Sequence, residues 1–485
     1  MTSFTFVHAA DLHLDAPFRG VSSLLESSRD LPPEAASSYP AHSSRLSPAP
    51  SGRLAAFLQN ATFIALERLT RLCIDARADF LLLAGDIYNS SDSSLRARLA
   101  LRESFLQLEK AGIAVFMAHG NHDPYGGEES VVPWPANVHV FGETPGACPA
   151  MRGDAFLALV QGISHSRPGE DRNLARMFRR NIESQWERAF QIGLLHCAVT
   201  GRSGAHAAYA PCSVDDLDAS GLDYWALGHV HGPQLLHRPG ALMGDSPLAA
   251  YSGSSQGLHV NESGPHGCLF VHVDESRRAA AEFVPLAPVR WETAYLRLDG
   301  EREDIENITA LMELAREELD ALAASVEKRD SGAHETQNQE TREKWSRGTH
   351  AGWRPELLIV RLHLGGRTAL NAELRKGGTL EDMREHMNRE LAGSGMLLRD
   401  IILETRPPVD EAALLLRDDL AGETHRIAQG LLQEPERLKD MAHQALKPLF
   451  NRSGVRQNVS FPDEAELAAL AEEARLLCQN LLEGE

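Results

Sequence analysis

The chain has 485 residues, of which 43% are hydrophobic and 24% are charged, a composition typical of a soluble globular protein with room for two or three domains. Its formal net charge of −20 argues against a general affinity for nucleic acids, because that affinity depends on basic groups that neutralise phosphates. No apolar run reaches the ~18 residues of a membrane helix, and the first residues lack the basic and apolar regions of a secretory signal.

The six cysteines are scattered along the chain and include no CxxC pair. This usage predicts reduced, mostly buried thiols in a cytoplasmic protein, and it argues against a structural zinc site. The chain also contains 21 histidines, several of which follow apolar runs.

In the first half of the chain, apolar runs alternate with segments that have a helical pattern. The apolar runs occupy residues 4–10, 80–84, 113–118, 155–161, 191–195 and 224–227, and the helical patterns cover residues 54–78 and 95–111. This alternation predicts an α/β domain whose strands are buried on both faces. We place this domain at residues 1–290, with a flexible insertion at 21–52, where serine, proline and alanine occur without a period.

After Trp291 the pattern changes. Apolar residues three and four positions apart predict an amphipathic helix that contains Ile305, Ile308, Met312, Ala315, Leu319, Leu322 and Val326. Residues 327–352 are polar and aperiodic, which predicts a disordered loop. A predicted strand at 357–364, a helix at 380–391 and a strand at 397–403 then indicate a small α+β capping domain at residues 291–410.

Residues 411–485 are predicted to form a helical tail. Its last helix begins at Pro462 and carries an apolar stripe of Leu467, Leu470, Ala474, Leu477 and Leu481. The stripe is shorter than the three to four heptads of a coiled coil. It either packs on its own domain or docks on a partner, and the sequence favours neither.

Several apolar runs of the first half end in side chains that suit metal chemistry. Five predicted strands are followed by Asp11 and His13, by Asp86, by Asn121, His122 and Asp123, by His196, and by His229 and His231. Sites in α/β sheets form beyond the carboxyl ends of the strands, so these side chains can converge although they are distant in sequence. Imidazoles, carboxylates and an amide, without any thiolate, suit manganese, iron or zinc.

Each of these motifs by itself is more often structural than catalytic. Asp-x-His and Gly-Asp are common in surface turns, and a histidine such as His196 is more often a hydrogen-bonded core residue. Five such motifs in this order, each after an apolar run, make coincidence a poor explanation. Asp86, which lies between turns that glycine permits, is the natural bridge between two cations about 3.5–4 Å apart.

The order D-x-H, GD, GNHD, H and GHVH resembles the calcineurin-like metallophosphoesterase superfamily. The segments HAADLHLDAPFRG, YAPCSVDDL, DYWALGHVHGP and YSGSSQGLHVNESGPHGC are similar to SbcD-type DNA-repair nucleases and especially to their YhaO branch. The similarity is strong over residues 1–290, general over 291–410 and weak beyond. It implies an α/β fold with a four-layer αββα sandwich, in which two mixed sheets lie face to face with helices outside.

The resemblance also implies a role for each motif residue. One metal ion would be held by Asp11, His13, Asp86 and His231, and the second by Asp86, Asn121, His196 and His229. His122 would face the scissile phosphate and stabilise the transition state or protonate the leaving oxygen, and Asp123 would orient His122. A hydroxide that bridges the two ions would attack phosphorus in line; manganese is expected, with iron and zinc as alternatives.

These roles imply a DNA nuclease in DNA repair, whose C-terminal helices bind the base of an SbcC-like coiled-coil ATPase. Family members often form homodimers, and no membrane is involved. Two alternatives remain open: a phosphodiesterase or phosphatase that acts on a nucleotide or another small phosphoester, and a non-catalytic scaffold of a repair complex. The acidic charge mildly favours the first alternative, whereas the complete ligand set disfavours the second.

The sequence departs from the family pattern at Asn89 and around residue 260. Asn89 follows GDIY, where aspartate is frequent, and we expect little effect because the family does not use this position as a ligand. Basic side chains are expected at three positions near residue 260, where this sequence has Leu258, Asn261 and His266. Their absence weakens the case for strong DNA binding without a partner.

The densest basic cluster is a weaker candidate for substrate binding. It consists of Arg172, Arg176, Arg179 and Arg180, which are predicted to share one helical face. The face would contact a phosphate backbone or, as we slightly favour, pair with Glu183 and Glu187 on the same helix.

Overall fold

The computed structural model describes residues 2–21, 53–90, 94–126, 132–200, 209–242, 245–299, 305–332, 353–408, 411–450 and 461–482. Its strands are β1 (Phe4–Ala9), β2 (Phe80–Ala84), β3 (Ala114–Ala118), β4 (Val138–Val140), β5 (Gly146–Arg152), β6 (Ala155–Ile163), β7 (Phe190–His196), β8 (Tyr224–Gly228), β9 (Gln234–Leu236), β10 (Ala249–Tyr251), β11 (Gly267–Val273), β12 (Ala279–Pro285), β13 (Val289–Arg297), β14 (Leu357–Arg367) and β15 (Met396–Arg406). Most of the predicted insertion lies outside the described residues.

The helices complete the set of described elements. They are α1 (Arg53–Asp75), α2 (Leu95–Lys110), α3 (Val214–Ala219), α4 (Ile308–Gly332), α5 (Asn371–Leu374), α6 (Thr379–Glu390), α7 (Glu411–Leu415), α8 (Leu420–Gln433), α9 (Pro435–Phe450) and α10 (Glu464–Leu482), with a 3-10 helix at Leu174–Met177. None of the described helices combines the length and the apolar character needed to span a bilayer.

Two six-stranded mixed sheets form the core of the first half. The first sheet has the order β12-β11-β1-β2-β3-β4, with β1 to β4 parallel and β11 antiparallel to both of its neighbours. The second has the order β5-β6-β7-β8-β10-β9, in which β6, β7, β8 and β10 are parallel. The parallel strands β2, β7 and β8 are buried along their whole length, which explains their continuous apolar sequences.

The two sheets pack face to face through aromatic and aliphatic side chains. The Phe6 ring stacks on Phe80 with centroids 5.1 Å apart and meets the edge of Tyr224 from the second sheet at 5.5 Å. The outer face of the first sheet is covered by α1 and α2. The outer face of the second sheet is covered by the 3-10 helix and α3, where Trp225 packs on Phe178 at 4.7 Å. These layers confirm the predicted αββα sandwich.

A smaller three-stranded sheet, in the order β13-β14-β15, follows in the chain, and β13 pairs with β14 in parallel. The predicted stripe of α4 buries Leu311, Ala315, Leu319 and Val326. The prediction of disorder from residue 327 is wrong for its first residues, because α4 continues to Gly332. Glu327 and Arg329 add ion pairs with Arg354 (2.9 Å) and Glu292 (3.6 Å), which an apolar period does not reveal. Residues 333–352 lie outside the described residues.

The C-terminal helices enclose a small apolar cluster of their own. Leu431 of α8, Leu438 of α9 and Leu467 of α10 are buried against one another. The predicted stripe of α10 contributes only Leu467 to this cluster, because the buried face continues through Ala471 and Arg475. Leu470 and Leu477 are 47% and 58% exposed. The side chain of Leu481 lies outside the described residues.

By contacts, the chain divides into two compact units. The first comprises Met1–Arg297, Glu306–Gly365 and Glu373–Glu404, and the second comprises Leu298–Ile305, Gly366–Ala372 and Thr405–Glu485. The predicted boundary at residue 290 falls inside the first unit, because β13 pairs with β14. The six cysteines are free thiols, and four of them are buried.

Candidate metal centre

The side chains predicted to bind metal follow five parallel strands of the two central sheets. Asp11 and His13 follow β1, Asp86 follows β2, Asn121 follows β3, His196 ends β7, and His229 and His231 follow β8. Because the two sheets are packed face to face, the carboxyl ends of these strands meet at one edge of the sandwich.

One group of these side chains consists of Asp11, His13 and His231. Their ligand atoms all lie within 4.8 Å of one another. The Nε2 atoms of His13 and His231 are 3.3 Å apart, so two imidazole nitrogens face the same point. The Nδ1 atom of His13 is buried and has no hydrogen-bond partner among the described residues.

A second group is formed by Asp11, Asp86 and His196, whose ligand atoms also lie within 4.8 Å of one another. The Oδ2 atom of Asp86 is 3.4 Å from Nε2 of His196 and 4.0 Å from Nε2 of His13, so this member of the second group also lies near the first group. The Oδ1 atom of Asn121 is 3.0 Å from Nε2 of His196. Asp11 belongs to both groups, which the sequence did not predict.

His229 joins this arrangement through its backbone and its ring. Its N–H donates a hydrogen bond to the Asp11 carboxylate, at 3.0 Å from Oδ2, and thereby holds Asp11 against β8. Its ring lies 5.3 Å from the His196 ring and 5.7 Å from the Tyr209 ring, centroid to centroid. His229 therefore lies beside the group that contains His196.

Four of the predicted ligands have a left-handed backbone, which is rare for residues other than glycine. Their φ angles are 50° for Asp11, 41° for His13, 50° for Asp86 and 103° for His229. Such strain costs on the order of 1–3 kcal/mol per residue and collects at functional sites. The turns are held by backbone hydrogen bonds from Asp11 to Gly85 (3.0 Å) and from His13 to Asp86 (3.1 Å).

Two glycines of the motifs are required for the close approach of the turns. A Cβ atom on Gly120 would lie 2.2 Å from Oδ1 of Asp86, and one on Gly228 would lie 2.0 Å from the carbonyl oxygen of Ala84. Neither neighbour is the end of a flexible exposed side chain. The glycines of GNHD and GHVH therefore let the motif turns pack directly against Asp86, which follows β2, and against the end of β2 itself.

The electrostatics of the centre fit divalent cations. Burial raises the pKa of Asp11 to about 6, and burial together with the charges of Asp11 and Asp123 raises the pKa of Asp86 well above its usual value. Burial also lowers the pKa of His13 and His196, which keeps both imidazoles neutral. Adjacent buried carboxylates and neutral imidazoles, together with the unpaired Nδ1 of His13, are the donor set expected for borderline cations.

His122 lies at the open side of the centre. Its side chain is 39% exposed, and its Nε2 atom is 4.0 Å from Oδ2 of Asp86. Its Nδ1 atom is 2.9 Å from the backbone carbonyl oxygen of Asn89, to which Nδ1–H donates in the tautomer that this contact selects. Because the contact uses the backbone, an aspartate at position 89 could make the same contact.

The predicted contact between Asp123 and His122 is wrong. The Asp123 carboxylate instead accepts hydrogen bonds from the backbone N–H groups of Ile87 (2.9 Å) and Gly120 (2.9 Å), and it lies 3.3 Å from Nδ1 of His119. Asp123 therefore joins the turn after β2 to the turn after β3. His122 is oriented by a carbonyl group, because the Asp123 side chain turns back toward its own loop.

The arginine cluster is not a free basic face. The predicted helix is only the 3-10 turn Leu174–Met177, and three of the arginines pair with carboxylates other than those of Glu183 and Glu187. Arg180 reaches Glu187 only at its backbone carbonyl oxygen. Arg172 pairs with Glu170 (2.6 Å), Arg176 with Asp216 (2.7 Å) and Arg180 with Asp223 (2.9 Å). The guanidinium of Arg179 donates to the carbonyl groups of Arg176 and Phe178. These contacts favour a structural role over substrate binding.

One residue beside the predicted ligands, Glu262, was not predicted from the sequence. Its Oε1 atom lies 2.5 Å from Nδ1 of His231. Burial by itself would raise the pKa of Glu262, but the hydrogen bond and the charge of His231 outweigh burial and lower it to about 2. In the sequence, the only indication of a role for Glu262 is its place in the segment YSGSSQGLHVNESGPHGC, which resembles the SbcD-type nucleases.

Comparisons with known proteins agree with this geometry. The sequence profile of the calcineurin-like phosphoesterases matches residues 4–233. The uncharacterized metallophosphoesterase YhaO of Bacillus subtilis is 33% identical over 323 residues, which are 66% of this chain and 69% of that protein. The DNA double-strand break repair protein Mre11 of Aeropyrum pernix is 28% identical over 184 residues, 36% of this chain and 44% of that protein.

Among solved structures, a dimetal phosphatase from Danio rerio covers 57% of this chain and 98% of its own length. The sequence identity is 10% and the TM-score is 0.30, a similarity too distant to bear on the site.

Proposed function

This chain belongs to the calcineurin-like metallophosphoesterase family, and we propose that it is a two-metal nuclease that hydrolyses DNA phosphodiester bonds in DNA repair. The observation that carries the proposal is the convergence of Asp11, Asp86 and His196, buried and within 4.8 Å of one another, at the ends of strands from both sheets. A vestigial scaffold would have no need to keep buried acids and strained turns together.

The chain supplies two overlapping ligand sets. Asp11, His13, Asp86 and His231 would hold one divalent cation, and Asp86, Asn121, His196 and His229 would hold the other. Manganese suits this mixture of imidazoles, carboxylates and one amide. When bound, the cations would lower the pKa of a water molecule and polarise the phosphate.

His122 is the residue that we propose to act on the substrate. The carbonyl group of Asn89 fixes Nδ1, so that Nε2 is directed toward the Asp86 side of the centre. From this position Nε2 can stabilise charge on the phosphate or give a proton to the leaving oxygen. The partial exposure of His122 leaves room for a large substrate.

DNA is proposed as the substrate because of the similarity to Mre11, whose name assigns that protein to double-strand break repair. The net charge of −20 requires a local source of positive field. Arg19 is such a source: it is exposed, and its charge is among the lesser influences that lower the pKa of His13, after burial and neighbouring histidines.

We further propose that the protein works in the cytoplasm with a coiled-coil ATPase of the SbcC type. The exposed Leu470 and Leu477 on α10 supply an apolar face that such a partner could cover. An ATPase that binds DNA would also compensate for the acidic surface of this chain.

The proposal is tested by DNA cleavage with manganese. We expect the wild-type protein to degrade single- or double-stranded DNA, alone or with its ATPase, and His122→Ala to lower the rate about 10²–10⁴-fold with the same amount of bound manganese. The exposed His237 provides a matched control, and His237→Ala should leave the rate unchanged.

Failure of every form of manganese-dependent DNA cleavage would remove the nuclease proposal. Hydrolysis of a nitrophenyl phosphodiester without cleavage of DNA would favour the alternative of a small-molecule phosphodiesterase, with which the acidic charge agrees. If the purified protein binds no manganese in a titration, the remaining alternative is a non-catalytic scaffold of a repair complex.

A further inference from the structure

The loop between β10 and β11 places a carboxylate directly behind one predicted metal ligand. The Oε1 atom of Glu262 is 2.5 Å from Nδ1 of His231, and both side chains are largely buried, at 20% and 23% exposure. The Glu262 carboxylate accepts a hydrogen bond from Nδ1–H of His231. In this tautomer the lone pair is on Nε2, and it points away from Glu262. That Nε2 atom faces Nε2 of His13 at 3.3 Å.

Glu262 is itself held in place by its own loop. Its Oε2 atom accepts hydrogen bonds from the backbone N–H groups of Leu258 (2.6 Å) and His259 (3.2 Å). Its backbone carbonyl oxygen lies 3.0 Å from Nε2 of His266, whose Nδ1 is 2.7 Å from Oγ of Ser254. Both carboxylate oxygens therefore have fixed partners, and the side chain is pre-organised for His231.

The same loop is attached to the segment that carries the first ligands. The N–H group of Arg19 donates to the carbonyl oxygen of Leu258 at 2.9 Å. Glu262 thus belongs to a framework that spans the turn after β1 and the turn after β8, the two turns that provide Asp11, His13 and His231.

The two metal-binding groups differ in what lies behind their imidazoles. His196 has a neutral partner, since its Nδ1 is 2.9 Å from the backbone carbonyl oxygen of Ala84. His231 has a charged one. A carboxylate that accepts from a ligating imidazole fixes the ring and raises its basicity, and loss of such a partner typically lowers metal affinity about 10–100-fold.

We propose that Glu262 is a positioning residue that makes the group of Asp11, His13 and His231 the tighter of the two metal sites, so that this site fills first. The inference rests on the proposed two-metal function. Glu262 acts through His231 in two ways: it fixes the tautomer in which Nε2, not Nδ1, carries the lone pair that a metal ion would need, and it adds a negative charge behind the ligand.

The test is a titration of the metal-free protein with manganese, in which binding is measured by calorimetry and by electron paramagnetic resonance. For the wild-type protein we expect two classes of site. Glu262→Gln should weaken the tighter class about 10–100-fold and leave the weaker class unchanged. The phosphoesterase rate at saturating manganese should stay within a few-fold of wild type, because both sites are then full.

The chain offers a matched control in a second glutamate–histidine pair. Glu404 Oε1 lies 3.2 Å from Nδ1 of His363 on the small sheet, away from the predicted ligands. Glu404→Gln should therefore leave both classes of manganese site unchanged. An equal effect of Glu404→Gln and Glu262→Gln, or an equal loss at both classes of site, would overturn the proposal, because a general loss of structure would then explain it.

One further measurement needs no variant and covers the case in which Glu262→Gln does not fold. In crystals of the wild-type protein with one equivalent of manganese, the anomalous signal should lie among Asp11, His13 and His231. A first ion beside Asn121 and His196 would reject the proposal. Metal binding in the expected order without any DNA cleavage would reject the nuclease function and leave the role of Glu262 intact.

Discussion

Asp11 and Asp86 are two carboxylates buried next to each other, and the folded protein must compensate for their charges. Burial raises the pKa of Asp11 to about 6 from an ordinary value of 3.8. Between these two values the folded state keeps a proton that the unfolded chain releases. The stability of the metal-free protein therefore falls as the pH rises through this window, and bound cations should reverse the effect by compensating for the charges.

We expect the stabilisation by manganese to depend on pH for this reason. Below about pH 6 the cation competes with the proton on Asp11, and its affinity should fall about tenfold per pH unit. The rise in Tm at a fixed manganese concentration should thus be larger at pH 7.5 than at pH 5, as measured by thermal unfolding. Asp11→Asn should remove most of the rise at both pH values. An equal rise at both pH values in the wild-type protein would contradict this account of Asp11.

Among the elements, the parallel strands that end in the motifs could be predicted, whereas β5, β11 and β12 could not. The buried strands have continuous apolar sequences, but in β5 every residue except Ala150 is half-buried or exposed, and the strand contains Pro149, as edge strands often do. The ligand positions followed from strand ends. The partners of Asp123 and Glu262 did not, because they depend on how separate loops meet.

The turn after β3 provides a test of how tightly these elements must meet. In Gly120→Ala the added Cβ would lie 2.2 Å from Oδ1 of Asp86, so the carboxylate proposed as the bridge must move. We expect manganese binding and hydrolysis of a nitrophenyl phosphodiester to fall at least tenfold, with a loss of stability of about 1–3 kcal/mol, as is typical of overpacking.

Gly126 belongs to the same loop, and a Cβ atom there would meet nothing within 4 Å among the described residues. Gly126→Ala is therefore the matched control, and it should bind manganese and hydrolyse the phosphodiester as the wild-type protein does. If Gly120→Ala keeps full manganese affinity, manganese binding does not depend on the position of the Asp86 carboxylate as we propose.

At the scale of the whole molecule, the proposed chemistry and the proposed partner binding belong to different parts of the chain. All seven predicted metal ligands, His122 and Glu262 belong to the first compact unit, whereas α8, α9 and α10 belong to the second. A chain with a net charge of −20 has little with which to hold a long DNA by itself. We therefore expect DNA cleavage to depend on the partner more strongly than hydrolysis of a small phosphodiester does.

The exposed face of α10 allows this division to be tested. Leu470 and Leu477 lie on one side of the helix and remain largely exposed, whereas Leu467 is buried in the cluster with Leu431 and Leu438. The double variant Leu470→Ser and Leu477→Ser should weaken binding to the ATPase at least tenfold in calorimetry, since truncation of apolar anchors commonly costs more than 1 kcal/mol each. Its hydrolysis of a nitrophenyl phosphodiester should equal that of the wild-type protein.

Leu416, which is 87% exposed and precedes α8, serves as the control for a general loss of surface hydrophobicity. Leu416→Ser should retain ATPase binding if the partner covers α10. Equal binding by the double variant and the wild-type protein would mean that the partner does not use this face, since the two substitutions leave the buried side of α10 unchanged. A parallel loss of phosphodiester hydrolysis would instead show that the helix supports the metal centre, which its place in the second unit does not predict.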